Sequence, residues 1–412
     1  MTIYAVWAVP LLIAALACIA ASPLFAGADD PEARSDPARV ASIDGLRGYL
    51  AVAVVIHHGV ITYGYLKTGQ WVPPASSFFN QLGQASVALF FIITGFLFWG
   101  KILRASGGVD FPSLLIGRAF RIGPVFLTLT VALMVSAVIS QGPALVLPAK
   151  VLVAQGLQNL ALGMFSVSSF NGVDIVHQVA GVTWTLVYEW EFYLFLPFLT
   201  PLAWRHDLSL AMLIGLATAV FLLATITHAP AHVIMCMFLT GMLCATLDHR
   251  GMKLRIPAWL SSLMAAAIGI AVYGLFPDTL SKPWPTALLG LSFYFILSGA
   301  DIFGLLRLKA SRRLGAISYD LYLCHGAVLA VAFAISPLRQ IALASPLTYW
   351  LVLTPIVFVA VGVALALHIW IERPAIALGK RVVASLRTRT SSNQDRSAVL
   401  NPVRLSPPVA AE

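Results

Sequence analysis

Residues 45–66 read GLRGYLAVAVVIHHGVITYGYL, an apolar run broken by one formal charge, Arg47. At ~1.5 Å per residue the run makes a helix of about 33 Å, enough to cross a hydrocarbon core of ~30 Å. Working outward, comparable runs occupy 3–26, 83–103, 121–141, 184–204, 208–227, 232–247, 258–275, 285–306, 314–334 and 348–370. The run at 151–165 is shorter, and Gln155, Gln158 and Asn159 interrupt it, which predicts an interfacial or re-entrant helix. The composition agrees: of 412 residues 59% are hydrophobic and 10% charged, with a mean hydropathy of +0.88. Soluble domains are roughly 45–50% apolar and about a quarter charged. So little polar surface excludes a soluble globule, a disordered chain and a nucleic-acid binder. The expected fold class is an all-α polytopic membrane protein.

Charge tests the span map, because Lys and Arg collect on the cytoplasmic side. With 27–44 placed in the cytoplasm, 22 of the 26 Lys and Arg fall on that side, and Lys67, Lys150, Lys282 and Arg339 fall outside. Making 151–165 a full crossing breaks this alternation. The reading is a ten-helix core with both ends cytoplasmic, preceded by one extra N-terminal transmembrane helix at 1–26. A polar cytoplasmic linker follows at 27–41, the integral-membrane domain spans 42–380, and 381–412 reads as a disordered cytoplasmic tail. Leu24-Phe25-Ala26 before a polar stretch resembles a signal cleavage site. No basic segment precedes the first run, however, and the run is long for a signal, so a retained helix is expected. Cys18, Cys236, Cys244 and Cys324 all lie in apolar runs with no zinc or redox spacing, and no metal is expected.

Ionisable groups inside spans are costly and mark candidate sites. Asp44 and Arg47 stand at i, i+3, and His58 follows Arg47 by eleven residues, on the same helix face about 16 Å away. His57 points about 100° away from His58, so one of the two faces the site. The Phe90–Leu97 stretch, with Thr94-Gly95, reads as close helix packing. Arg118 and Arg121, again at i, i+3, suit a phosphate clamp or simple topological charge. In Trp184–Tyr193 two carboxylates, Glu189 and Glu191, sit on different faces. Depth counting puts Glu189 about 8 Å and His58 about 12 Å below the outer edge, which predicts that the two meet. Tyr322 and His325 share a face at similar depth, and Glu372-Arg373-Pro374 closes the last span.

These blocks, in this order, resemble acyltransferase family 3, membrane proteins that modify cell-surface glycans. The family's Asp-Gly-Leu-Arg-Gly motif with a histidine eleven positions after the arginine is matched by Asp44–Gly48 and His58. Its Phe-Phe-x-x-Ser-Gly-Phe block resembles residues 90–96, with Thr94 for serine, and Arg-x-x-Arg matches Arg118 and Arg121. Trp-Ser-Leu-x-x-Glu-x-Gln-Phe-Tyr resembles residues 184–193, with Thr185 for serine and Glu191 for glutamine. Ile-Ser-Tyr-x-Leu-Tyr-Leu-x-His matches residues 317–325, and Glu-Arg-Pro matches 372–374. The extra N-terminal helix, Asp320 and Glu191 are less usual in the pattern, and the esterase-like domain of some members has no counterpart in this sequence.

The resemblance implies an O-acyltransferase of the bacterial inner (plasma) membrane, with acyl-CoA, acetyl-CoA foremost, as cytoplasmic donor. The implied partners are membrane lipid and a glycan acceptor: lipopolysaccharide O-antigen, exopolysaccharide or a lipid-linked oligosaccharide. On that basis His58 is the expected general base, oriented by Glu189, with Asp44 fixing Arg47. Arg118 and Arg121 are expected on the donor's phosphates, and Tyr322, His325, Trp184 and Tyr193 on the acceptor. Direct transfer and a transient acyl-enzyme both fit. The alternative class is a transporter or flippase of a glycan intermediate, in which the same buried charges form a relay.

Overall fold

A computed structural model describes residues 2–29, 40–141, 146–204 and 206–400. Sixteen α-helices follow one another, and among the described residues the sole β feature is an isolated bridge between Phe170 and Val173. Helix α1 (Ala8–Ala21) precedes α2 (Ala41–Thr68), α3 (Ser77–Arg104), α4 (Phe111–Gln141) and the short α5 (Ala149–Asn159). Next come α6 (Trp184–Leu199), α7 (Pro201–Trp204), α8 (His206–Thr227), α9 (Pro230–His249), α10 (Ala258–Leu275) and α11 (Pro283–Leu297). The chain ends with α12 (Lys309–Ala316), α13 (Ser318–Ala334), α14 (Ser336–Leu343), α15 (Pro346–Leu367) and α16 (Arg373–Leu400). The protein is an all-α, multi-pass membrane protein.

Each of the eleven apolar runs is helical, but not all at full spanning length. Among the described residues seven helices are long and apolar enough to cross a membrane, and the pair α12–α13, bent by 67°, makes an eighth. Helices α1, α6 and α11 have 14, 16 and 15 residues. At ~1.5 Å per residue they reach only about 21–24 Å. Prolines and glycines shorten them: Pro201 restarts the chain after α6, and Gly299 at φ 116° turns it after α11. The segment at 151–165 gives the 11-residue α5, too short to cross.

The last helix departs from expectation in the other direction. From Pro346 the chain stays helical through a π turn, His368–Glu372, and on to Leu400. Residues 381–400 of the expected disordered tail are therefore helical; Arg381, Val382, Val383, Ala384 and Leu386 offer no helix breaker. Residues 401–412 and most of the 27–41 linker lie outside the described residues, with Arg34, Arg39, Arg205 and Arg404.

Two packed clusters form the interior. One gathers α3, α4, α6, α9 and α11, and the other gathers α1, α2 and α12–α15. Glycines set the closest approaches. A Cβ at Gly95 or Gly241 would stand 2.3 or 2.0 Å from a carbonyl oxygen of the facing helix, Phe238 or Ile92, so α3 and α9 touch backbone to backbone. A Cβ at Gly45 would meet the Leu306 carbonyl at 2.0 Å, and one at Gly48 the backbone of Ser311 and Gly315 at 2.8 Å. The motif glycines around Arg47 thus let α12 lie directly on α2.

The N-terminal helix is tied to this body. Arg313, 3% exposed, donates to the carbonyls of Ala20, Ala21 and Ser22 at the end of α1 and makes a two-pronged pair with Asp29 at 2.8 and 2.9 Å. That guanidinium pulls the Asp29 carboxyl down to about 2.

Candidate active site

A cavity of about 500 Å³ lies along the seam of the two clusters, walled by α2, α3, α4, α6 and α13. On α3 its lining runs from Val87 to Arg104, about 26 Å at ~1.5 Å per residue. One end is basic: Lys101 and Arg104 close α3, and Arg118 faces them from α4, its guanidinium 4.9 Å from the Phe98 ring. Arg47 and Arg121 line the middle. Among the described lining residues these five cations face a single carboxylate, Glu189. At the other end stand Phe90, Thr185 and Tyr322, with the Tyr322 hydroxyl 3.1 Å from the Thr185 hydroxyl and donating to the Val182 carbonyl at 3.3 Å.

His58 lies beyond that wall. Its Nδ1 is 3.0 Å from His325 Nε2 and 3.1 Å from the Val54 carbonyl, and the His325 ring is 6.3 Å from the Tyr322 ring. His325 Nδ1 is 3.0 Å from the Leu321 carbonyl. A carbonyl only accepts, so His325 Nδ1 carries the proton and its neutral ring offers a lone pair at Nε2. His58 must then donate through Nδ1, which leaves its own lone pair on Nε2. A chain of backbone and imidazole contacts thereby selects the tautomer of His58. His57 takes no part: its Nδ1 donates to the Phe79 carbonyl at 2.8 Å, and its ring fills the space over Gly83.

The expected pairing of Glu189 with His58 is not formed. Glu189 accepts a hydrogen bond from the Tyr193 hydroxyl one turn along α6 and faces the cationic cavity. His58 is oriented by His325 instead. Depth along two helices carries no information about rotation around each helix axis. Glu191, two residues on, is exposed on the opposite side. Tyr193 lines the cavity and is fully buried, whereas Trp184 packs on Phe91 and Tyr188 outside the lining.

The two arginines of the Arg-x-x-Arg block differ. Arg118 points to the basic mouth, while Arg121 sits 3.7 Å from Glu372 and keeps 29% of its side chain open to the cavity. Glu372 also takes a 2.5 Å hydrogen bond from His368, whose Nδ1 is 3.4 Å from Asp320. The π turn places His368 and Glu372 side by side for this purpose. Asp320, His368 and Glu372 have the residue types and spacing of a metal site, with donor atoms within 4.8 Å of one another. The Arg121 guanidinium already supplies a cation there and would repel a second. The cluster reads as a buried ion network that holds Arg121 against the last helix.

Arg47 lies in the field of Arg121, Asp44, Glu372 and Glu189, in the cavity and well short of His58. Lys101 and Arg104, read from sequence only as topological charge, belong to the basic mouth; their i, i+3 spacing at the end of an apolar run is the signal that could have marked them. Trp71, which stacks near His58, and His177, which packs on Trp71 from a different segment, carry no such signal.

The site can now be set beside known proteins. A family model described as an acyltransferase domain matches residues 40–369, four-fifths of the chain. The chain is 28% identical over 326 residues to the exopolysaccharide production protein ExoZ of Rhizobium meliloti (strain 1021), covering 75% of this chain and 95% of that protein. No solved structure matches the chain. The match takes in every wall of the cavity and both His58 and His325, and leaves out the first 39 residues and everything from residue 370 on, including Glu372 and α16: this chain belongs to the acyltransferase family 3 of membrane proteins.

Proposed function

We propose that the protein transfers an acyl group, acetyl foremost, from acyl-CoA to a hydroxyl of a cell-surface or exported glycan, with His58 as general base. The observation that carries this reading is a histidine of selected tautomer, lone pair on Nε2, linked through His325 to Tyr322 at one end of a long cationic cavity. Lys101, Arg104 and Arg118 suit the nucleotide phosphates of the donor at the mouth. The pantetheine arm runs past Arg47 toward Tyr322. The kinship with an exopolysaccharide production protein supports a polysaccharide acceptor. The basic mouth and the C-terminal helix then face the cytoplasm, and the protein lies in the inner membrane.

In the proposed reaction His58 Nε2 takes the proton of the acceptor hydroxyl as its oxygen attacks the thioester carbonyl carbon. The carbon–sulfur bond breaks, the ester forms, and the thiolate recovers the proton from His58. His325 Nε2 accepts from His58 Nδ1–H throughout and steadies the imidazolium. Tyr322 must shift for the thioester to reach His58.

The test compares surface glycans, by mass spectrometry, from cells expressing the wild type, His58→Ala and no protein. A general base contributes about 10²–10⁴-fold. The acyl mass increment is expected with wild type only, at equal membrane levels of the two forms. An unchanged increment with His58→Ala overturns the assignment.

A further inference from the structure

Outside the cavity lining, three rings pack in a continuous set that reaches His58. Gly69, at φ 72°, ends α2 and turns the chain, and two residues later Trp71 lies stacked at 6.3 Å from the His58 ring with 20° between planes. Tyr65 meets Trp71 edge-on at 5.5 Å and stacks at 5.7 Å on His177, which in turn is 5.3 Å from Trp71. His177 comes from the loop before α6, more than a hundred residues away. Its Nδ1 is hydrogen-bonded to Asp174, and Asp174 also accepts from the backbone N–H of Val176 at 2.9 Å. The Asp174 and His177 side chains are 54% and 37% exposed, and Trp71, Tyr65 and His58 are half-buried. Apolar helix packing does not require this set: it leads from an open rim inward to the reactive histidine.

We infer that Trp71, Tyr65 and His177, with Asp174 at their edge, form a subsite for one sugar ring of the acceptor. This rests on the reading of His58 as the base of an acyl transfer to glycan. A pyranose has C–H faces that pack on aromatic rings and hydroxyls that need acceptors at the rim. Trp71 and Tyr65 supply the flat faces, and the Asp174 carboxylate and the free His177 nitrogen supply the polar edge. The subsite adjoins the His58 ring directly, so a ring held there presents a hydroxyl to Nε2 from the side opposite the donor. Two substrates entering from opposite ends thus need not pass one another.

The experiment uses the full-length protein in proteoliposomes, with acetyl-CoA and surface glycan isolated from cells lacking the protein. Trp71→Ala, Trp71→Phe and Asp174→Asn are compared with wild type. An aromatic contact of this kind corresponds to about 2- to 12-fold. Trp71→Ala is expected to raise the KM for glycan by about that factor while the KM for acetyl-CoA stays put, with Trp71→Phe closer to wild type. An unchanged glycan KM in Trp71→Ala, or equal rises in both KM values, overturns the subsite. Saturation-transfer NMR of the same glycan on the same proteoliposomes separates the two readings. Ring-proton signals seen with wild type and lost with Trp71→Ala uphold the subsite even if no ester forms, in which case the transfer reading fails alone. Equal signals from both proteins reject the subsite even if ester forms.

Discussion

Replacing His325 tests the tautomer argument most directly. In the folded protein His58 Nδ1 has two acceptors, the His325 Nε2 lone pair at 3.0 Å and the Val54 carbonyl at 3.1 Å. His325→Leu removes the first and leaves the second, so the correct tautomer remains available but is held by one partner. When His58 takes up a proton, the lost interaction is a hydrogen bond to a charged group, about 1.5–3 kcal/mol. At ~1.36 kcal/mol per tenfold, kcat should fall about 10- to 160-fold. That is less than the loss expected for His58→Ala. His325→Gln restores an acceptor oxygen and should recover part of the rate. The assay is thiol release from acetyl-CoA in proteoliposomes with glycan saturating, so that kcat is read apart from either KM. A His325→Leu protein at wild-type kcat would refute the reasoning. So would one as inactive as His58→Ala with no recovery in His325→Gln, because His325 would then be more than an orienting partner.

The two arginines of α4 should separate in their effects. Arg118→Ala should raise the acetyl-CoA KM several-fold at low salt, with the difference shrinking as salt is raised, and leave the melting temperature in place. Arg121→Ala removes one partner of a buried pair, a change that costs about 3–5 kcal/mol, and should lower the melting temperature; His368, still on Glu372, keeps the loss near the lower figure. In α2, Gly45→Ala drives a Cβ into the Leu306 carbonyl and should destabilise by about 1–3 kcal/mol in thermal unfolding. Gly64→Ala in the same helix meets nothing within 4 Å and should be neutral or stabilising. Asp29, with its carboxyl pulled down to about 2, contributes stability that is complete above its ordinary value of 3.8 and is lost as pH falls from there through about 2. Asp29→Asn should lower the melting temperature at neutral pH and flatten its decline across that window; an identical decline in both proteins would show that Arg313 does not depend on Asp29.

Helical class, membrane residence and the order of the apolar runs were all legible in the chain, because hydropathy over about twenty residues is a local property. So was the candidate site, since Arg47, Glu189, His58 and His325 stand out as ionisable groups in apolar helices. Thr94-Gly95 marked close packing correctly, whereas the close packing at Gly45 and Gly48 appeared only in the structure. Length was less legible: the hydropathy of 184–204 and 285–306 continues through the prolines and glycines that end α6 and α11. From residue 381 polar composition suggested disorder where the backbone stays helical to Leu400.

Partnership was not legible at all. His58 and His325 lie 267 residues apart, and Arg121 and Glu372 meet from opposite ends of the domain. Helical periodicity reports which side chains face inward and roughly how deep they lie. It does not report how each helix is rotated against its neighbours, and that rotation brought His58 to His325 rather than to Glu189. The sequence by itself thus determined what kind of protein this is and which few ionisable groups lie inside its helices. The packing of α2 against α12–α13, set by Gly45, Gly48 and Gly315 where no Cβ intervenes, decided which of those groups touch.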